Sequence, residues 1–122
     1  MLFKKKWVNA VLNGQKSQSI RIKKPRVKIG RSYAVQTSYY SKSLGRIQIT
    51  DIRPCTLGSL TDEDIHAEGW PPGSRRKFEM YFAEINHMDP GSMTKKDWHS
   101  LRNQMLWCIT FKPENLVVTP KS

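Results

Sequence analysis

A few polar side chains in this sequence are of the types that acyl transfer and proton transfer require. A hydroxyl group can attack a carbonyl carbon, a lysine of lowered pKa can accept the hydroxyl proton, and a carboxyl group can relay protons. The carboxyl candidate is Glu68, beside Gly69, which allows a sharp backbone turn. Taken singly, such residues are more typical of a solvated surface. The other candidates lie close together in the first half of the chain: Gly14, Lys16, Ser17, Ser19 and Arg21.

The spacing of Lys16 and Ser19 sets a condition on the local structure. Side chains three positions apart in a regular strand point to opposite faces, whereas Ser19 and Arg21 share a face. We therefore expect either a bulge or a strand that begins only after Ser17. If that condition is met, Lys16, Ser17, Ser19 and Arg21 form a cationic, hydroxyl-rich wall that can bind an anion.

A second set of residues suits the binding of phosphates and bases. A positively charged loop contains Lys23, Lys24, Arg26 and Lys28, and Pro25 keeps it extended. We expect this loop to form one wall of a groove together with Lys16 and Arg21. Tyr39 and Tyr40 lie between two predicted strands, where they either stack on a base or pack within the loop.

Three candidates in the second half of the chain have competing explanations. Trp70 can line a cleft near Glu68 and stack on a pyrimidine, although structural packing is the more common role of a tryptophan. Arg75 and Arg76 lie at a predicted helix start, where positive charge opposes the helix dipole, so we expect a phosphate contact there.

The charge distribution points to a polyanionic partner. Residues 1–50 contain twelve Lys or Arg and no Asp or Glu, whereas residues 51–122 contain nine basic and ten acidic side chains. The formal net charge of +11 therefore lies in the first half. A localised positive field recruits nucleic acid by releasing counterions, although solubility alone also explains many basic domains.

The first half of the sequence predicts one helix followed by strands. Trp7, Val8, Val11 and Leu12 form one apolar stripe of a short helix that Gly14 ends. Alternating apolar residues predict strands at 17–22, 32–37 and 45–52.

The second half predicts three helices and two strands. Thr61 caps a short helix with three acids in its first turn, Ser74 caps a second helix, and Thr94 with Asp97 marks a third that runs through Leu101. Residues 105–111 and 116–118 are predicted strands. The second helix has an apolar face that we assign to the core rather than to a base-stacking platform: Phe78, Tyr81, Phe82 and Ile85.

These elements predict an α+β fold, a small and mostly antiparallel β-barrel of about five strands decorated by three or four helices. A chain of 122 residues fits one domain, which we place at residues 1–118 with a flexible tail at 119–122. Cys55 and Cys108 have no metal-ligand spacing, so we expect buried free thiols in a reducing cytoplasm. The sequence has no apolar run long enough for a membrane span or a signal peptide.

The ordered motifs resemble the ASCH family, a branch of the PUA-like barrels, over roughly residues 2–111. The resemblance rests on Gly14-x-Lys16-x-x-x-x-Arg21, on Pro25-Arg26-x-Lys28-x-Gly30, on Ile49-Thr50-Asp51-Ile52, on Leu60-Thr61-Asp62-Glu63 followed by Glu68-Gly69, and on Ile109-x-Phe111. It implies a PUA-like barrel whose cleft is lined by the signature lysine, arginine and glutamate, and an RNA-related role.

One branch of small proteins in this family hydrolyses N4-acetylcytidine with a lysine, a threonine and a glutamate. The resemblance assigns these roles to Lys16, Ser19 and Glu68, with serine in place of threonine. The substitution keeps the hydroxyl and loses the methyl group that restricts its rotamer.

Three functions therefore compete at the level of sequence. The leading expectation is an RNA- or nucleotide-binding module, the alternative is an N4-acetylcytidine amidohydrolase, and the third is a domain that binds an acidic protein. We expect no cofactor, no metal site, because the three histidines lack paired-ligand spacing, and no membrane partner. The oligomeric state is assumed to be monomeric.

Overall fold

The protein, described at residues 1–114 by a computed structural model, is built on one four-stranded antiparallel sheet. The strands are β1 (Gln18–Arg21), β2 (Ser32–Ala34), β3 (Arg46–Thr56) and β4 (Met105–Pro113). Their order across the sheet is β1-β4-β3-β2, and the sheet curls into a half-barrel. The register of β3 on β4 shifts between Ile49 and Asp51, and a bulge of this kind increases local bending.

Four α-helices decorate the sheet: α1 (Val8–Leu12), α2 (Asp62–Ala67), α3 (Arg75–Ile85) and α4 (Lys95–Asn103). Short 3₁₀ turns lie at Lys5–Trp7, Leu57–Ser59 and Pro90–Ser92. Thr61 and Thr94 each accept a hydrogen bond from the backbone of an aspartate three residues later, and that aspartate bonds back to the threonine amide. These reciprocal capping boxes fix where α2 and α4 begin.

Two apolar clusters form the core. One joins the amino-terminal segment and α1 to the sheet and includes Phe3 and Val11. The other packs helices α2 to α4 against the sheet and includes Phe82 and Leu101. The two clusters hold α1, α2 and β1 in fixed positions, and the polar candidates lie on or beside those three elements.

The cysteines are free and buried, as predicted. Burial raises the pKa of the Cys108 thiol to about 12 and also raises that of Cys55. Thiols of this kind remain protonated at neutral pH and are poor nucleophiles, so they contribute to packing.

The structure confirms the predicted fold class and most predicted elements. Gly14 lies two residues after the end of α1 with a φ of +86°, and Gly69 lies two residues after the end of α2 with a φ of +100°. Ser74 occupies the residue before α3, but its side chain makes no capping hydrogen bond, so that detail of the prediction is wrong. Four strands lie within residues 1–114, and the predicted strand at 116–118 and tail at 119–122 fall outside the described residues.

Candidate functional site

A buried ion pair between Lys16 and Glu68 lies at the centre of the candidate site. The Nζ atom of Lys16 donates to the backbone carbonyl of Glu68 at 2.7 Å and lies 3.4 Å from its Oε1 atom. The two residues are only 5% and 4% exposed. Lys16 is positioned by the chain reversal after α1, where its amide donates to the carbonyl of Ala10. Glu68 immediately follows α2 as its carboxyl-terminal capping residue.

Strand β1 adds a hydroxyl group and a guanidinium group beside the pair. Nε of Arg21 donates to Oγ of Ser19 at 2.8 Å, and Nη2 of Arg21 donates to the carbonyl of Leu2 at 2.8 Å. Because β1 begins at Gln18, Lys16 lies outside the strand, and Lys16 and Ser19 line the same cavity. The structure thus meets the condition that the sequence set for these two residues.

Burial brings the proton affinities of Lys16 and Glu68 towards each other. Burial raises the pKa of Glu68 from its ordinary value of 4.5 to about 7, although Lys16 and Arg21 oppose the rise. Burial also lowers the pKa of Lys16, with Glu68 opposing the fall. Oε2 of Glu68 is buried and has no hydrogen-bond partner among the described residues. An unpaired buried acceptor is costly, and a ligand that donates a hydrogen bond removes that cost.

Three aromatic side chains form the opposite part of the site. The ring centroids of Trp7, Trp70 and Tyr81 are 5.5 to 6.1 Å apart, and Nε1 of Trp7 donates to Oη of Tyr81 at 3.0 Å. The Trp7 ring also lies 4.9 Å from Nζ of Lys16. The three rings are tilted against one another, and the hydrogen bond joins Trp7 to Tyr81. Together they form a rigid apolar surface next to the ion pair, against which a planar heterocycle can pack.

These groups enclose a cavity of about 240 Å³. It is lined by Lys16, Ser19, Arg21 and Glu68, by the aromatic residues, and by Leu2, Phe3 and Lys4 of the amino-terminal segment. Ligand pockets for drug-sized molecules span about 300 to 1,000 Å³, so this cavity suits one small ligand rather than a strand of nucleic acid.

The structure brings together five of the predicted site residues and leaves the others outside the cavity. Trp70 lines it, as does each of Lys16, Ser19, Arg21 and Glu68. Gly14 and Ser17 contribute through the backbone: Gly14 allows the turn, and the Ser17 amide donates to Ala67 at 2.8 Å.

The positively charged loop does not form a wall of this cavity. Its four cations are exposed and absent from the lining: Lys23, Lys24, Arg26 and Lys28. Tyr39 and Tyr40 are 81% and 100% exposed and lie outside it as well. Arg75 bonds the carbonyl of Leu60 and lies 3.5 Å from Asp62, and Arg76 packs over Trp98. Their phosphate contact stays a prediction.

Sequence reasoning missed part of the aromatic surface. Phe78 and Phe82 are buried in the core, as predicted, and also border the cavity. Tyr81 is only half-buried and lines the cavity together with Trp7. Ile85 is also partly exposed. A helical apolar stripe has the same spacing whether it faces a core or a pocket, so periodicity could not separate the two.

The described residues contain neither a candidate metal site nor a candidate membrane-spanning helix. Within residues 1–114, no group of three His, Cys, Asp or Glu side chains is placed to hold a metal ion. No helix in this part of the chain is long and apolar enough to cross a membrane.

Comparison with solved structures identifies the fold. The chain superposes on an ASCH domain from Lactobacillus crispatus JV V101 with a TM-score of 0.56 and 15% identity, covering 86% of this chain and 68% of the other. A DUF984 protein from Enterococcus faecalis V583 gives a TM-score of 0.58 and 15% identity, with 89% and 70% covered.

The chain has the ASCH fold. No family model and no curated protein matches the sequence. The structural likeness confirms the ASCH fold that the motifs predicted.

Substitution of Gly69 tests the packing that joins the aromatic surface to the ion pair. A Cβ atom there would lie 2.7 Å from the Trp7 ring and 3.5 Å from Cβ of Lys16, at a φ of +100°. We expect Gly69→Ala to lower the free energy of unfolding by about 1 to 3 kcal/mol and to displace Trp7, as measured by denaturation and tryptophan fluorescence. Gly73→Ala is the control, because its φ is +77° and nothing lies within 4 Å. Equal effects of the two variants would contradict a close contact at Gly69.

The raised pKa of Glu68 predicts a pH dependence of stability. A carboxyl group whose pKa is higher in the folded state binds more protons there, so the stabilising contribution of Glu68 is fully present below about pH 4.5 and is lost as pH rises through about 7. We expect this contribution to reach about 3 kcal/mol and to vanish in Glu68→Gln. The measurement is the difference in unfolding free energy between the two proteins from pH 4.5 to 8. A difference that does not change over this range would refute the raised pKa.

Proposed function

We propose that the cavity binds a cytidine-type nucleoside and hydrolyses the amide between an acyl group and its exocyclic amine. The observation that carries the proposal is the convergence of Lys16, Ser19 and Glu68 on one small cavity. The resemblance to the N4-acetylcytidine hydrolases drew attention to these three positions. The geometry supports the same choice independently, because a nucleophile, a base and an acid meet beside an aromatic surface.

The first half of the reaction uses Ser19 as the nucleophile. The hydroxyl oxygen accepts a hydrogen bond from Arg21, which leaves its own proton free to be given away. Burial lowers the pKa of Lys16, which favours the neutral amine that can accept this proton. Oγ of Ser19 then bonds to the acyl carbon. The nearby guanidinium favours the negative charge that develops during the attack.

Glu68 completes the transfer. A carboxyl group with a pKa of about 7 is present in both protonation states near neutral pH, so it can donate a proton to the departing exocyclic nitrogen. The C–N bond breaks, cytidine leaves, and the acyl group remains on Ser19. Water then attacks this ester and gives a proton to the Glu68 carboxylate. As the ester C–O bond breaks, Lys16 returns its proton to Oγ of Ser19, so the carboxylic acid leaves and all three side chains recover their starting protonation states.

The aromatic surface explains why the base would be held with its amine facing the pair. Trp7, Trp70 and Tyr81 line the cavity and give a pyrimidine an apolar surface to pack against, and Oε2 of Glu68 is an unpaired acceptor for an N–H group. Apolar contact and one hydrogen bond orient the ligand, which is the main requirement for attack by a fixed nucleophile.

Substitutions at the three polar residues test this proposal. We expect Lys16→Ala, Ser19→Ala and Glu68→Gln each to lower kcat/KM for N4-acetylcytidine at least about 100-fold, because each removes a group that transfers a proton or forms a bond. Ser19→Thr keeps the hydroxyl and should remain active. Lys95→Ala, on exposed α4, is the control. Release of cytidine is followed by chromatography, and wild-type protein that leaves N4-acetylcytidine intact would refute the proposal.

Nucleic-acid binding is a second candidate, and it concerns a different surface. The cations at 23, 24, 26 and 28 are all exposed and form no ion pair within the described residues. Tyr40 is fully exposed. Free surface cations with an exposed aromatic ring suit a single strand of RNA. The third alternative, an acidic protein partner, calls for a flat basic face without a cleft beside Lys16, and the cavity beside Lys16 argues against it.

Salt dependence and charge reversal test the second candidate. We expect affinity for single-stranded RNA to fall with salt with a logarithmic slope of about −0.7 per phosphate contacted, and Lys23→Glu with Arg26→Glu to abolish binding. Lys95→Glu with Lys96→Glu changes the net charge equally on α4 and is the matched control. Fluorescence anisotropy measures both. Binding that ignores salt, or equal losses in the two double variants, would argue against a specific basic surface.

A further inference from the structure

Lys6 lies over the aromatic surface, at a place that the proposed reaction does not use. Its Nζ atom is 4.5 Å from the ring centroid of Tyr81, 5.0 Å from that of Trp7 and 5.9 Å from that of Trp70. Contacts with ring faces restrict a lysine that would otherwise sample many rotamers. Lys6 forms no ion pair among residues 1–114, and its side chain is exposed. An ammonium group without an anion among the described residues therefore lies beside rings that line the cavity.

The charged side chains that line the cavity also carry more positive than negative charge. Lys4, Lys16 and Arg21 line it, and Glu68 is the single carboxylate among the lining residues. Glu68 is paired with Lys16 and is neutral for part of the time near pH 7. A neutral nucleoside leaves this positive charge without a partner, whereas a ligand with a phosphate group compensates it.

The ammonium groups of Lys6 and Lys16 lie close enough together for one nucleotide to contact both. Nζ of Lys6 and Nζ of Lys16 lie 5.0 and 4.9 Å from the same Trp7 ring, so they are no more than about 10 Å apart. Within this limit one nucleotide can contact both ammonium groups. With the amine at Glu68, its phosphate would then lie towards the amino-terminal segment that carries Lys4 and Lys6.

We infer that the ligand carries a phosphate group and that Lys6, assisted by Lys4, binds it at the mouth of the cavity. This inference rests on the proposed function, because it places a cytidine base against the rings. The phosphate can belong to a free nucleotide or to a residue within an RNA strand, and both offer the same oxygen acceptors. Lys6 is then a ligand-binding residue that selects among acylated cytidines and takes no part in bond cleavage.

Calorimetry with cytidine and with cytidine 5′-monophosphate tests the inference on the intact protein. We expect the monophosphate to bind about tenfold more tightly than cytidine, because the added charge-assisted hydrogen bonds favour it by about 1.4 kcal/mol. Lys6→Gln should remove this preference, so that cytidine and its monophosphate bind about equally. Lys5→Gln, which removes the same charge from the same 3₁₀ turn, should keep it. Circular dichroism confirms that both variants are folded.

The remaining outcomes separate the two proposals. A trinucleotide with a central cytidine that binds as tightly as the monophosphate identifies RNA as the phosphate source, and weaker binding identifies the free nucleotide; both results support the inference. Equal binding of cytidine and its monophosphate, or loss of the preference in Lys5→Gln, overturns it. If N4-acetylcytidine is still hydrolysed in that case, the proposed function stands without the phosphate site. If it is neither bound nor cleaved, the proposed function itself has failed.

Discussion

The site depends on keeping one lysine and one glutamate together out of water. Burying two charges costs several kcal/mol per ion, and the pairing of Lys16 with Glu68 offsets this only in part, because one carboxylate oxygen has no partner among the described residues. The protein therefore holds a carboxyl group of raised pKa beside a lysine of lowered pKa. Such opposed shifts are typical of groups that exchange protons with a ligand.

The two halves of the chain supply different sides of this pair. The half without acids provides Lys16 and Arg21, and the half that contains acids provides Glu68 at the end of α2. Gly69 allows the backbone to turn with a φ of +100° and leaves room for the Trp7 ring. The ring in turn contacts Lys16 and Tyr81, so the aromatic surface and the ion pair are parts of one packed unit.

Local patterns predicted most of this structure, and long-range contacts account for what they missed. The capping boxes at Thr61 and Thr94 and the alternation along β3 are properties of neighbouring residues, so they could be recognised in the sequence. The roles of Lys16, Ser19 and Glu68 came from an ordered motif. Sequence patterns assigned Tyr81 to the core and the loop at 23–28 to a wall of the binding groove. Both assignments differ from the structure, because periodicity and charge do not specify which elements pack against each other. Leu2 and Phe3, which close the cavity, carry no local signal of that position.

The protonation of Glu68 is the property on which the account depends most directly. Carbon-13 NMR titration of its side-chain carboxyl, assigned by comparison with Glu68→Gln, reports that property without requiring a substrate. The account predicts a midpoint near pH 7, because burial disfavours the charged carboxylate more than Lys16 restores it. A midpoint near the ordinary value of 4.5 would contradict it, since Glu68 would then be a permanently charged partner of Lys16 and could not donate a proton to a leaving amine.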